Sequence, residues 1–306
     1  MTSTCPSTDT GNQPTKPGHW STERRGGSVP GLERMQCLEV WGGNRSTDSA
    51  FAMPGLEVRV FCRPFRDAES GGDVYYLSSC ASGRVSRFLL ADVCGHGSQV
   101  AETGANLRKL MRRNINFIDQ GRLASGVNQQ FGESSEEGGF ATALIGTFFS
   151  PTRTLTLCNA GHPQPLYYSA ASRCWRIHQP SPVEKSEVRN LPLGLVDQVR
   201  FDSFRSRMFK GDLLLCYTDA LCEAPVESGI LGVEGLLELM DSLDTDNHQS
   251  LIPALLSEVD AAANGPLNHD DMTVMLIECT ETGARIRDSL AAPLRMLRSF
   301  FSTTDR

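Results

Sequence analysis

Residues 89–102 read LLADVCGHGSQVAE. An apolar run ends in one carboxylate, Asp92, and a Gly-His-Gly corner follows almost at once. Behind the corner the hydrophobic period changes. Val100, Gly104, Leu107, Met111, Ile115 and Ile118 fall three or four apart, with Arg and Lys filling much of the space between. A strand therefore enters the corner and an amphipathic helix of about five turns leaves it. A carboxylate at the end of a core strand is costly unless hydrogen-bond donors, a cationic side chain or a metal ion answers it.

The surrounding sequence bounds the answer. The chain has 306 residues, 40% hydrophobic and 21% charged, ordinary values for a globular protein. A formal net charge of −7 argues against general nucleic-acid binding. No apolar run is long enough to span a bilayer. The opening MTSTCPSTDTGNQPTKPGHW has no apolar core of a secretory signal. Ten cysteines include no C-x-x-C pair, and Cys62, Cys158, Cys216 and Cys279 sit in apolar runs as small core residues. A reducing, cytoplasmic protein without disulfides is expected.

Residues 1–37 are rich in Ser, Thr, Pro and Gly and are expected to be disordered. A domain is expected over 38–280, followed by a tail over 281–306. Strand patterns appear at 56–64, 73–80, 86–93, 140–149, 154–160, 165–169, 174–178, 200–209, 212–219 and 272–279. Ser82–Gly83 suits a hairpin turn. Helical blocks follow the Gly-His-Gly corner, continue as a shorter helix within 119–138, and return at 232–244 and 250–263. Strand and helix do not alternate, so a parallel doubly wound sheet is disfavoured. An α+β fold of two antiparallel sheets packed face to face with helices outside, a four-layer α-β-β-α sandwich, fits the order.

Asp73, Asp92, Asp219 and the pair Asp270–Asp271 share a local setting at the margin of an apolar strand. Singly, each reads as a turn or cap residue. Gathered at one sheet end they repel: a like-charge pair 4 Å apart costs roughly 1–4 kcal/mol. A divalent cation turns that repulsion into binding, and oxygen ligands suit Mg²⁺ or Mn²⁺.

The segments GGDVYYL, ADVCGHG, FATALIGTFF, CNAGHPQPLYY, LPLGL, KGDLLLCYTDALCEA and DDMTVMLIE stand in that order across residues 38 to 280. Together they resemble the metal-dependent protein serine/threonine phosphatases of the PPM, or protein phosphatase 2C, superfamily. Within it they resemble the bacterial branch of the sporulation stage II E (SpoIIE) and sigma-B regulator (RsbU) phosphatases. The resemblance implies an α-β-β-α sandwich with two divalent cations, Mn²⁺ or Mg²⁺, at one end of the sheets. By it, Asp92 bridges both metals, the Val93 backbone carbonyl joins the second, and Asp219 and Asp270 complete the first. Asp73 takes the place of an acidic ligand of the second metal, direct or through water. Gly95, His96 and Gly97 shape the corner. His96 is either the proton donor to the leaving alkoxide or a residue holding that corner. Asn159 and His162 match a structural turn, and Asp271 ranks below Asp270. Three positions depart from the common pattern: Tyr76 in place of an acid, Ala220 in place of glycine and Cys94 in place of serine. Tyr76 bears on the outer shell of the second metal.

The implied activity is hydrolysis of phosphoserine or phosphothreonine by a metal-activated water in bacterial partner-switching signalling. The implied substrate is a phosphorylated protein, an anti-anti-sigma-like domain. Two alternatives remain: a catalytically weak module of the same fold that sequesters a signalling partner, and a metal-dependent hydrolase of another phosphoester. No base-stacking platform supports a nuclease. In the tail, Ile286, Leu290, Leu294, Leu297 and Phe301 share one helical face. That helix docks on its own domain, or meets a membrane surface or partner, and Pro293 weighs against the membrane.

Overall fold

Side-chain alternation assigns each strand its two neighbours. The computed structural model describes residues 32–34, 40–80, 83–94, 98–117, 119–134, 139–180, 189–267 and 269–281. In chain order the elements are β1 (Leu32–Arg34), β2 (Val40–Gly43), β3 (Thr47–Met53), β4 (Leu56–Arg63), β5 (Asp73–Ser79) and β6 (Val85–Val93). Then come α1 (Ser98–Asn114), α2 (Gln120–Ser134), β7 (Ala141–Phe149), β8 (Thr154–Ala160), β9 (Leu166–Ser169), β10 (Cys174–Ile177), β11 (Phe204–Arg207) and β12 (Leu213–Tyr217). The chain continues through α3 (Asp219–Cys222), β13 (Pro225–Val226), β14 (Gly229–Ile230), α4 (Gly232–Ser242), α5 (Leu251–Ala262) and β15 (Met272–Cys279).

One sheet has the order β1-β3-β4-β15-β12-β9-β10 and the other β11-β8-β7-β6-β5-β2; β13 and β14 form a small hairpin of their own. All pairings are antiparallel except that of edge strand β1 with β3. In β6, Phe88 and Leu90 face the other sheet, whereas Leu89, Ala91 and Val93 face α1 and α2. In β12, Leu214 and Cys216 face inward, whereas Leu213, Leu215 and Tyr217 lie under α3, α4 and α5. Three apolar layers result: one between the sheets, one under each helical pair. The four-layer α-β-β-α sandwich expected from the sequence is thus the observed architecture.

Differences are local. Leu32–Arg34 lies in the segment expected to be disordered and adds a parallel edge strand instead. The strand expected over 200–209 shortens to β11. Residues 200–202 are held away from β8 by Arg189, whose guanidinium binds the Asp202 carboxylate at 2.9 Å, and by Asn190, whose Oδ1 accepts from the Asp202 N–H at 2.7 Å. The strand expected to run to Asp219 stops at Tyr217, because Thr218 turns the chain into α3. The expectations for residues 1–31 and for the amphipathic tail from 282 onward lie outside the described residues. Cys62, Cys94, Cys158, Cys174, Cys216, Cys222 and Cys279 are free thiols. No described helix is long and apolar enough to cross a membrane.

His178, just past β10, ties the two sheets along one flank. Its ring stacks on Tyr167 at 4.9 Å, meets Phe204 edge-on at 5.2 Å, and its Nε2 lies 3.1 Å from Ser206 Oγ on β11. Burial, assisted by Arg176, pushes its pKa down to about 4. A histidine depressed in the fold stabilises above its unfolded pKa near 6.5, and that contribution is lost as pH falls toward the folded value. His178→Gln should reduce the acid-side slope of stability between pH 6 and 4.5 by about 1.4 kcal/mol per pH unit, measured by urea unfolding.

Candidate active site

Antiparallel pairing sets the start of one strand beside the end of its neighbour. Asp73 opens β5 and Asp92 nearly closes β6, and the two are directly opposed in register. In the other sheet Tyr217 at the end of β12 pairs with Val274 near the start of β15, so Thr218–Asp219 and Asp270–Asp271 emerge side by side. Parity then points them inward. Asp73 and Asp92 continue the rows of Tyr75, Leu77, Phe88 and Leu90, while Thr218, Thr273 and Asp271 continue those of Cys216, Met275 and Ile277. The apolar layer between the sheets thus ends in a polar cap.

Two contacts lock the sheets together there. Thr218 Oγ1 donates to Asp73 Oδ2 at 2.8 Å and accepts from the Thr273 N–H at 2.9 Å. Thr218 stands at the N-cap of α3, yet its hydroxyl makes no capping bond and reaches across to Asp73. Asp271 accepts from Phe65 N–H at 2.6 Å and from Gly72 N–H at 2.7 Å. A Cβ on Gly71 would lie 2.3 Å from Asp271 Oδ1, so only glycine lets this carboxylate seat against the backbone. Asp271 is accordingly a buried brace, while its exposed neighbour Asp270 accepts the Asp271 N–H at 2.8 Å through Oδ1.

The electrostatics follow from this geometry. Burial and then the Asp92 charge raise the Asp73 carboxyl well above the usual range, against the pull of the Thr218 hydroxyl. Burial, then Asp219, Asp270, Asp271 and Glu223, push Asp92 up to about 8. Burial, then Glu223 and Asp270, raise Asp219 as well. Asp73 Oδ1 completes no regular hydrogen bond, although the buried Thr273 hydroxyl, like that of Thr218, pulls the carboxyl down against its burial. Among the described residues no Lys or Arg forms an ion pair with Asp73, Asp92, Asp219 or Asp270. Asp92 thus bears on Asp73, and Asp219 and Asp270 bear on Asp92, although among the described residues no three acidic, His or Cys side chains stand in ligating geometry. An all-oxygen set of carboxylates with no Lys or Arg partner among the described residues fits hard divalent cations.

Asp212, at the opposite end of β12, is the contrasting case. Its carboxylate accepts from the Tyr167 hydroxyl, from Phe209 N–H at 2.7 Å and from Ala170 N–H at 2.9 Å, so hydrogen bonds alone answer its burial. Asp73 has no such set.

The fold recurs in known proteins. Residues 82–280 match the family model described as Stage II sporulation protein E (SpoIIE). The chain belongs to the SpoIIE family. The phosphoserine phosphatase RsbU of Bacillus subtilis (strain 168) is 21% identical over 189 residues, which are 61% of this chain and 54% of RsbU. The chain therefore spans about half the length of this relative. The RsbU and RsbW domains of a Mycobacterium tuberculosis protein superpose with a TM-score of 0.60 at 22% identity, covering 81% of this chain and 69% of that one. RsbX, solved in complex with magnesium, superposes at 0.55 with 16% identity, covering 76% of this chain and all of RsbX, 100%. The fold is that of the PP2C phosphatase domains.

Of the residues singled out from the sequence, Asp73, Asp92, Asp219 and Asp270 fall together at one end of the sandwich. Val93 closes β6 with its side chain toward the helices. Gly95, His96 and Gly97 lie outside the described residues. Tyr76, three residues beyond Asp73, faces the opposite way, into the helix-facing layer, and so does not border the acidic cluster. Thr218 and Asn44 escaped notice. Asn44 donates to the carbonyls of Gly71 at 3.0 Å and Ala101 at 2.9 Å, binding the approach to Asp73 to the first turn of α1. A threonine at a strand end signals a helix cap, and no sequence pattern shows a hydroxyl turned elsewhere.

Asp73→Asn removes a buried like charge while keeping the shape. In chelator at pH 8 its midpoint should exceed the wild type's by roughly 2–8 °C, equivalent to about 1–2 kcal/mol. A raised carboxyl pKa means stability lost as pH rises, so the difference should shrink toward pH 4, where both forms are neutral. Added Mn²⁺ should stabilise wild type more than the variant in the same differential scanning measurement.

Proposed function

We infer that this chain is a metal-dependent phosphoprotein phosphatase acting on phosphoserine or phosphothreonine. The observation that carries the reading is the carboxylate cluster contributed by both sheets, in which Asp219 and Asp270 bear on Asp92 and no Lys or Arg among the described residues is paired with it. Asp92, Asp219, Asp270 and Asp73, with the Val93 carbonyl, would hold two divalent cations, Mn²⁺ or Mg²⁺. When bound, such ions supply a water ionised near neutral pH and neutralise charge on the phosphoryl oxygens. The protein's own part is positional. Thr218 fixes Asp73 from the opposite sheet, Asp271 braces the Gly71–Gly72 segment, and Asp92 sits where charge from both sheets bears on it. Burial and then Asp219 push the Cys222 thiol up to about 11, which leaves this cysteine little thiolate.

The relative named as a phosphoserine phosphatase supports the phosphoserine part of this reading. We extend it to a phosphorylated anti-anti-sigma-like domain in partner-switching signalling in the cytoplasm. His96, in the Gly-His-Gly corner after Asp92, is assigned either leaving-group protonation or support of that corner.

Purified protein should hydrolyse p-nitrophenyl phosphate with Mn²⁺ and lose that activity in chelator. Asp219→Asn should reduce turnover more than about a hundredfold while circular dichroism stays unchanged. Turnover that survives metal removal, or an Asp219→Asn variant at wild-type rate, contradicts the reading. Tight binding of a phosphoprotein without turnover in Mn²⁺ would instead identify a sequestering module.

A further inference from the structure

The turn at residues 159–162 has a part to play beyond its own closure. Asn159 Oδ1 accepts the His162 N–H at 2.8 Å, and Asn159 Nδ2 donates to the His162 carbonyl at 2.8 Å. Gly161 takes φ 70°, and a Cβ there would lie 2.7 Å from Pro192 Cγ, so the turn is pinned from outside as well. Gly161 also bridges to Ala143. The result is a rigid mount for one side chain, His162, which is buried at 5% exposure.

The ring stands between the sheets at the acidic end. Nδ1 lies 2.8 Å from Thr142 Oγ1, and Thr142 is the residue directly opposite Asp92 in the β6–β7 register. The far edge of the ring is turned toward the backbone of Tyr217, two residues before Asp219, and Nε2 completes no regular hydrogen bond. Burial pushes the imidazole down to about 3, so it is neutral at any working pH and has one donor and one acceptor. With Nε2–H toward the Tyr217 carbonyl, Nδ1 accepts the Thr142 hydroxyl proton. The Thr142 hydroxyl is then committed to His162.

We propose that His162 is a positioning residue that spans from Thr142, opposite Asp92, to Tyr217, ahead of Asp219, and so fixes the separation of the carboxylates that the two sheets contribute. The proposal rests on the metal-dependent reading above. A role confined to closing the turn would be served by Asn159 and Gly161 and would leave metal affinity unchanged once the protein is folded. A positioning role predicts a loss of cation affinity in molecules that are fully folded.

The test is Mn²⁺ binding by isothermal titration calorimetry on wild type, His162→Ala, His162→Gln, Thr142→Val and the Ala/Val double variant, with circular dichroism to establish folding. His162→Ala and Thr142→Val should each weaken Mn²⁺ binding about 10- to 100-fold. The double variant should be no weaker than the worse single one, because both remove the same link. His162→Gln, which keeps a donor and an acceptor, should recover most of the affinity. Should His162→Ala not fold, Thr142→Val, which leaves the turn intact, decides alone. Folded variants that bind Mn²⁺ as tightly as wild type, in a wild type that binds and turns over, overturn the positioning role only. A wild type that neither binds Mn²⁺ nor hydrolyses phosphoester overturns the functional reading and this role with it.

Discussion

Mutual repulsion among carboxylates at one end of the sandwich is the constraint on which the rest of the structure turns. Each of Asp73, Asp92 and Asp219 is held partly or wholly out of water, and each raises the cost of ionising a neighbour. Chain topology makes this unavoidable. Inward parity at the end of β6 and the start of β5 carries Asp92 and Asp73 into the space where the apolar layer stops, and the chain beyond β12 brings Asp219 beside them. The sheets cannot relax apart, because Thr218 and Asp271 clasp one sheet to the other through Asp73 and Gly72. The apolar layers of the sandwich oppose the charge, and the acidic end spends part of that stability on a poised, electron-rich site.

The same protein shows how a buried acid is handled when no cation is needed. Asp212 takes three donors and serves as a joint between β9 and the β11–β12 turn. Asp271 takes two backbone N–H groups and serves as a brace. Asp73 is answered only by side-chain hydroxyls, that of Thr218 at 2.8 Å and that of Thr273, with no backbone N–H among its donors.

Much of this was legible in the sequence. Strongly alternating strands such as LEVRVFCR, and continuous runs such as LLLCY between two covered faces, announce themselves by period and composition. β3, TDSAFAM, did not, because two alanines and a serine carry weak strand preference and only pairing with β4 makes the strand. β11 was overdrawn because alternation persists through residues that a local Arg189–Asp202 ion pair holds off the sheet. At the site, motif order identified the acids, while the division of labour between Asp270 and Asp271 became physical only with the two backbone N–H groups around Asp271. Thr218 and Asn44 act through contacts 145 and 57 residues distant in sequence, which no local pattern encodes.

Anomalous scattering at the manganese edge, from crystals grown with Mn²⁺, tests the central claim most directly. The account predicts ions bonded to Asp92 together with Asp219 and Asp270, and a second ion on the Asp73 side of Asp92. Manganese bound elsewhere, with these four carboxylates left free of metal, would contradict it.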